Sequence, residues 1–360
     1  MKRNNAWTLR GLFGAAILAA VMATPSWAQF TPPASPAYCP WPAWKLPPAQ
    51  AGEPIVYTDP NGVGYTKAQM DSLYDQVCWQ QDPPDTNSRA NQLRAEFLER
   101  FGPPERYAYG PTAIEGLDLY RTRAGHGFAP TMIYIHGGAW RAGSAAGAGS
   151  MAENFVTAGA NLVSLDFINV IQSGGNLLTM AEQVRKGVAW VYQNAKKLGI
   201  DPNRIYVSGF SSGGHLCGVA ITTDWQARGL PADFIRGAVC GSGMYDLYPV
   251  SISARNLYVN FQLDDTINKL SPVQHIQHIR FPVVLSHGTK ETPEFQRQTK
   301  DFAAALEAAG KDVKLIVAQG YNHFEHNETF ANPFGPLGRA SLELMGLQPG
   351  GALIWGQRPK

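Results

Sequence analysis

The run Tyr206-Val207-Ser208-Gly209-Phe210-Ser211-Ser212-Gly213-Gly214-His215 sets one serine between glycines two residues away on either side, the G-x-S-x-G spacing of a strained strand-to-helix turn. Ile205-Tyr206-Val207 reads as the buried strand before it, and Leu216-Cys217-Gly218-Val219-Ala220 as the helix after it. A serine oxygen attacks a carbonyl only when the turn lifts it clear of its neighbours, and side chains at the flanking positions would collide within so tight a bend. A second motif lies upstream. The β-branched run Thr131-Met132-Ile133-Tyr134-Ile135 ends directly in His136-Gly137-Gly138-Ala139-Trp140. A glycine pair at a strand end lets backbone N–H groups approach a substrate carbonyl. Gly137, Gly138 and the amide of Ser212 are therefore the expected oxyanion donors. Either motif alone is matched by an ordinary glycine turn; the two together, each at a strand end, are not.

Such a serine needs a histidine to take its proton and a carboxylate to orient that histidine. Of the eight histidines, His136 and His215 belong to the two motifs, and His126, His275 and His278 lie in earlier turns. His287 precedes any acid. His323 and His326 remain, beyond the strand Val313–Val317 and the breaker Gly320. His323 is assigned as the base, with His326 as the alternative. The acid is sought after the strand Pro282–Ser286, where the chain reads His287-Gly288-Thr289-Lys290-Glu291-Thr292-Pro293-Glu294. Glu291 falls in the turn and is assigned. Glu294 follows Pro293 and reads as a first-turn helix residue favoured by the helix dipole.

The elements that must carry these residues alternate. Strands are expected at 117–120, 131–135, 161–165, 205–207, 237–240, 282–286 and 313–317, with helices at 67–79, 88–100, 180–198, 293–309 and 337–345. That alternation predicts an α/β fold with a mostly parallel central sheet, helices on both faces, and ligands bound beyond the carboxyl ends of the strands. Residues 245–278 interrupt it, and read as a small cap-like insertion over the site, with Tyr245, Tyr248, Tyr258 and Phe261. Ala139, Trp140 and Tyr245 are the expected substrate-lining residues.

These segments resemble the α/β-hydrolase esterases and lipases, and among them the arylformamidase (kynurenine formamidase)-like carboxylesterases. The match runs through His136-Gly137-Gly138-Ala139-Trp140, Gly209–Leu216, Glu291-Thr292-Pro293-Glu294-Phe295-Gln296-Arg297-Gln298 and Asn322-His323-Phe324. The resemblance implies that Glu291, first carboxylate of its segment, is the triad acid, and it favours His323 over His326. Ala139 stands where the formamidases commonly carry a bulky aromatic, which implies a wider acyl pocket. Ser212 replaces the usual alanine.

Met1-Lys2-Arg3-Asn4-Asn5, the apolar run Leu12–Met22 and Pro25-Ser26-Trp27-Ala28 compose a secretory signal peptide, residues 1–28, too short in its apolar part to span a bilayer. A helical N-terminal extension (29–110), a catalytic domain (111–346) and a tail (347–360) are expected to follow, in a secreted or periplasmic protein free of the membrane once the signal is removed. Kynurenine metabolism is cytosolic, so export separates the chain from that substrate. Thirty Lys and Arg balance 28 Asp and Glu for a net charge of +2, so nothing in the charge points to a nucleic-acid or anionic-membrane partner and none is expected. No H-E-x-x-H, paired C-x-x-C, P-loop or dinucleotide fingerprint occurs, so no metal or cofactor is expected. The four cysteines suit an oxidising compartment. Cys39–Cys78 is the preferred bridge, and Cys217 and Cys240 either pair or stay as buried thiols. The function expected is a serine esterase acting through an acyl-enzyme on small or aryl esters. The alternatives are an aryl-formamide amidase and a non-catalytic binding protein of the same fold.

Overall fold

The computed structural model describes residues 45–80, 86–123 and 127–351. A hairpin of β1 (Ile55–Thr58) and β2 (Gly64–Thr66) leads into α1 (Lys67–Leu73) and α2 (Thr86–Phe101). An eight-stranded sheet follows: β3 (Glu105–Ala108), β4 (Gly116–Tyr120), β5 (Ala129–Ile135), β6 (Asn161–Leu165), β7 (Ile200–Phe210), β8 (Ile235–Gly241), β9 (Val283–Gly288) and β10 (Val313–Ala318). Its order is β10-β9-β8-β7-β5-β6-β4-β3. Every neighbouring pair from β10 to β6 is parallel, while β4 pairs antiparallel with both β6 and β3 at one edge. This is the α/β-hydrolase class expected.

The strand sequences account for two covered faces. Along β5, Ile133 and Ile135 point to one side and Met132 and Tyr134 to the other, as the period of two requires. On the first side lie α4 (Leu177–Gln193), α5 (Ser212–Ile221) and α8 (Pro293–Ala308), through Val184, Val188, Leu216, Val219, Phe295 and Phe302. The second side is covered by α2, α3 (Ala152–Ala158) and α10 (Pro336–Met345), through Phe97, Phe155, Leu337 and Leu342. Both faces being apolar, the central strands read as continuous hydrophobic runs. Short helices complete the chain: α6 (Leu247–Ile252) and α7 (Thr266–Leu270) within 245–278, and α9 (His323–Glu328) after β10.

Two helices differ from the sequence expectation: that expected at 180–198 runs from Leu177 to Gln193, and the first helix stops early. The span 67–79 is helical only to Leu73, because two side chains compete with the helix ladder beyond it. Asp75 Oδ1 accepts from the amides of Val77 and Cys78 at 3.0 and 3.3 Å, folding a turn. Tyr74 is drawn inward, its hydroxyl donating to Glu294 Oε2 at 2.8 Å.

Cys217 on α5 and Cys240 on β8 form a fully buried disulfide with Cα atoms 5.8 Å apart. Cys78 is also disulfide-bonded; Cys39, its expected partner, lies outside the described residues, as does the expected signal peptide. The Cys217–Cys240 bridge closes a 23-residue separation between the helix behind the candidate nucleophile and the next strand. Replacing both cysteines by alanine is expected to lower unfolding free energy by about 2–5 kcal/mol. Urea titrations of the two proteins check this, and equal stability would remove the bridge from the account.

Candidate active site

Parallel strands deliver their carboxyl ends to one edge, so the turns after β5, β7, β8, β9 and β10 converge there. Ser211 follows β7 directly and is the N-cap of α5, with φ 59° and ψ −126°. A non-glycine residue holds that conformation only where its surroundings enforce it. They do so by leaving no room for a Cβ on the flanking glycines. A Cβ on Gly209 would lie 2.2 Å from the Gly213 carbonyl oxygen, and one on Gly213 would lie 2.1 Å from that of Ile135. The G-x-S-x-G spacing is thus a packing requirement between β5, β7 and α5.

The turn after β5 rests on this elbow. A Cβ on Gly137 would meet the Phe210 carbonyl oxygen at 2.7 Å and the Ser211 Cβ at 3.2 Å. Gly138, Ala139 and Trp140 all have positive φ, and the Gly138 carbonyl accepts from the amides of Arg141 and Ala142 at 2.9 and 3.0 Å. His136 braces the turn: Nδ1 lies 2.9 Å from the Gly137 carbonyl, and the ring stacks on Phe167 at 4.2 Å. Its pKa is held below the usual imidazole value by burial. Ser212, fully buried, opens α5, so its amide is one of the helix's unbonded first-turn donors.

Glu291 follows β9 and is buried. Its Oε1 accepts from Ser242 Oγ at 2.6 Å and the Gly288 amide at 3.2 Å, and lies 3.3 Å from His326 Nδ1 and 3.6 Å from His323 Nδ1. Burial pushes the Glu291 carboxyl up, but the two imidazoles outweigh it and hold the group well below the usual carboxylate range. His323 opens α9, whose start is fixed by Asn322 Oδ1 accepting from the amides of Phe324 and Glu325, both at 3.0 Å. Its ring lies between Phe210 and Phe295, with centroids 4.9 and 5.1 Å away. Among the described residues, Glu291 Oε2 and His323 Nδ1 are both buried without a hydrogen-bond partner. Hydrogen bonds of this kind are commonly long before substrate tightens them.

The two histidines divide clearly. His326 is inaccessible to solvent, its Nε2 2.9 Å from Ser286 Oγ. His323 lines a cavity of about 740 Å³ together with Ser211, Gly137, Gly138 and Ala139. That cavity is walled by Tyr74–Cys78 from the N-terminal segment and by Arg255, Leu257 and Tyr258 from the 245–278 segment.

Two expected substrate contacts lie elsewhere. Trp140 is buried against α5, its Nε1 donating to His215 Nδ1 at 3.2 Å, because the positive φ at 139 and 140 turns it under the loop. His215 in turn meets the Leu270 carbonyl at 2.8 Å through Nε2, and burial brings its pKa down to about 4. Tyr245 is buried too: its hydroxyl donates to the Cys240 carbonyl at 3.0 Å and its ring stacks on Phe302 at 4.4 Å. Neither touches the cavity. Ser242, which holds Glu291, was not anticipated. Its only sequence signal is the Gly241-Ser242-Gly243 run after β8, where φ is 46°. Among the described residues, no group of three or more His, Cys, Asp or Glu side chains is placed to hold a metal ion.

Solved structures share this fold. An esterase of Thermogutta terrifontis is 21% identical, with a TM-score of 0.54, covering 68% of this chain and 91% of that one. Esterase LipW of Mycobacterium marinum is 17% identical, with a TM-score of 0.57, covering 76% and 88%. The BD-FAE family model matches residues 117–235, and that of the prolyl oligopeptidase family matches residues 179–332. By fold and relatives the chain is a carboxylesterase-like serine hydrolase. Kynurenine formamidase of Salmo salar is 30% identical over 247 residues, covering 66% of this chain and 80% of the relative. Isoprenylcysteine alpha-carbonyl methylesterase of Arabidopsis thaliana is 27% identical over 237 residues, covering 60% and 55%. The chain belongs to the α/β-hydrolase esterase family that includes kynurenine formamidase.

The two glutamates of the 291–294 segment are expected to separate in their effects. Glu294 is buried in a bidentate pair with Arg297, at 2.6 and 2.8 Å, so Glu294→Gln should cost stability, about 3 kcal/mol in urea unfolding. Glu291→Gln should change the pH dependence instead. A carboxyl with a lowered folded-state pKa adds stability that is full above its unfolded pKa, about 4.3, and is lost as pH falls toward the folded value. Wild type should therefore lose stability below about pH 4 more steeply than Glu291→Gln, and parallel acid-unfolding curves would remove Glu291 from that role.

Proposed function

We propose that this protein is an exported esterase that cleaves small or aryl carboxylic esters with Ser211 as nucleophile, His323 as base and Glu291 as its orienting acid. The observation that carries the reading is the cavity where Ser211, strained above the sheet edge, shares a wall with Gly137, Gly138 and His323. Glu291, 3.6 Å behind His323, supplies the charge that favours imidazolium. In the first half-reaction the Ser211 proton passes to His323 Nε2 while Oγ bonds to the carbonyl carbon. The oxyanion is held by the amides at Gly137, Gly138 and Ser212. Its collapse breaks the C–O bond, and His323 returns the proton to the departing alcohol. Water then repeats the sequence on the acyl-enzyme, releasing acid and free serine.

The second reading is a formamide amidase, favoured by the likeness to kynurenine formamidase. Ala139 on the cavity wall favours esters instead, since it leaves room beside the oxyanion loop. An amine must also be protonated before it departs, whereas an aryl oxide need not. Ser211→Ala is expected to abolish ester cleavage in a chain that unfolds normally, and Glu291→Gln to reduce kcat by orders of magnitude. Organophosphate labelling at a different residue would overturn the assignment. Aryl acetates should exceed N-formylkynurenine in kcat/KM at matched leaving-group pKa, and the reverse order would restore the amidase.

Export rests on the basic start, apolar run and small residues of 1–28. Secreted from a bacterial host, the mature chain should begin at Gln29. N-terminal sequencing of periplasmic protein checks this, and recovery of Met1 in the soluble product would count against it.

A further inference from the structure

The cavity is lined by three carboxylates and two arginines. Its carboxylates are all engaged: Asp71 with Lys67, Glu328 with Arg89 at 2.7 and 3.1 Å, and Asp75 with the amides of Val77 and Cys78. Its two arginines, Arg141 and Arg255, pair with no carboxylate among the described residues. Arg255 is only 7% exposed. Its Nη1 donates to Tyr258 Oη at 2.7 Å, its Nη2 donates to the Tyr74 carbonyl at 3.1 Å, and its Nε is buried without an acceptor. The guanidinium lies 5.4 Å from the Trp140 ring centre. Arg141 sits 4.6 Å from the ring centre of the same Tyr258. Two cations thus converge on one tyrosine. Burying a guanidinium without an anion is costly, and interiors almost always pair such charges.

Resting on the esterase reading, we propose that the substrate carries a carboxylate beside its ester, and that Arg141 and Arg255 receive it. A guanidinium fork matches a carboxylate in plane and spacing, and an anion between the two relieves both desolvation and mutual repulsion. The position is set by the oxyanion turn. Arg141 is three residues past Gly138 and its amide is bonded to the Gly138 carbonyl, so the anion site and the carbonyl site are held by one turn. Arg255 is braced from both the N-terminal segment and the 245–278 segment, which fixes its place in the wall.

The test compares matched esters that differ in charge alone. On the alcohol side these are 3-carboxyphenyl acetate and 3-carbamoylphenyl acetate; on the acyl side, 4-nitrophenyl hydrogen glutarate and 4-nitrophenyl 4-carbamoylbutanoate. In wild type at low salt, at least one anionic ester should exceed its neutral match by about tenfold or more in kcat/KM, through KM, since one charge-assisted hydrogen bond has that worth. The preference should shrink as salt is raised to 0.5 M. Arg141→Gln and Arg255→Gln should each reduce the anionic-to-neutral ratio severalfold. The ratio is taken on one preparation, so partial misfolding of the buried Arg255 variant cancels, and Arg141, which is half-buried, gives an independent reading. Neutral esters cleaved with no anionic preference in either pair, or a preference unchanged in both variants, would overturn the carboxylate site and leave the esterase reading standing. No Ser211-dependent cleavage of any of the four would overturn both.

Discussion

The structure depends on an absence of side-chain volume where β5, β7 and α5 come together. Backbone oxygens of Ile135, Phe210 and Gly213 occupy the space that Cβ atoms at Gly213, Gly137 and Gly209 would need. This crowding forces the chain through a left-handed step at Ser211 and presses the turn after β5 against it. The strain is confined to a few residues and opposed by a core that is apolar on both faces of the sheet. The disulfide between α5 and β8 adds a covalent tie behind the same elbow.

Around that point the site is assembled in two layers. The inner layer is backbone: amides at strand and helix ends that need no side chain to find their geometry. The outer layer is a set of buried polar side chains that hold other side chains. Ser242 and the Gly288 amide fix Glu291, His326 is fixed by Ser286, and Asn322 starts the helix that presents His323. Trp140 and His215 belong to this layer too, linking the turn after β5 to α5.

Most of the fold was legible because both signals on which it rests are local. Apolar runs of four to seven residues alternate with amphipathic stretches, and that alternation signals a parallel sheet covered on both faces. The crowded turns after β5 and β7 were legible for the same reason, since glycine spacing reports directly on backbone crowding. Side-chain direction was not. Trp140 and Tyr245 sit next to site residues in sequence, yet positive φ turns the first under its loop and a carbonyl at Cys240 captures the second. Ser242 and Arg255 were silent because their roles arise from partners 49 and 181 positions away. The helix from Lys67 stopped early for a similar cause, the pull of Glu294 on Tyr74, 220 positions apart.

That last link has a wider meaning. Tyr74 bonds Glu294 through its hydroxyl and Arg255 through its carbonyl, and Gln76 bonds Thr292, so the segment that closes the cavity is bolted to the helix following Glu291. The candidate catalytic residues follow strands β5 to β10, while the cavity beside them takes part of its wall from residues before β3 and part from the 245–278 segment. Part of the cavity wall and the candidate catalytic residues therefore come from separate stretches of chain joined at a few polar rivets. Redrawing the 74–78 turn could retune the choice of substrate while every atom that makes and breaks bonds stays where it is.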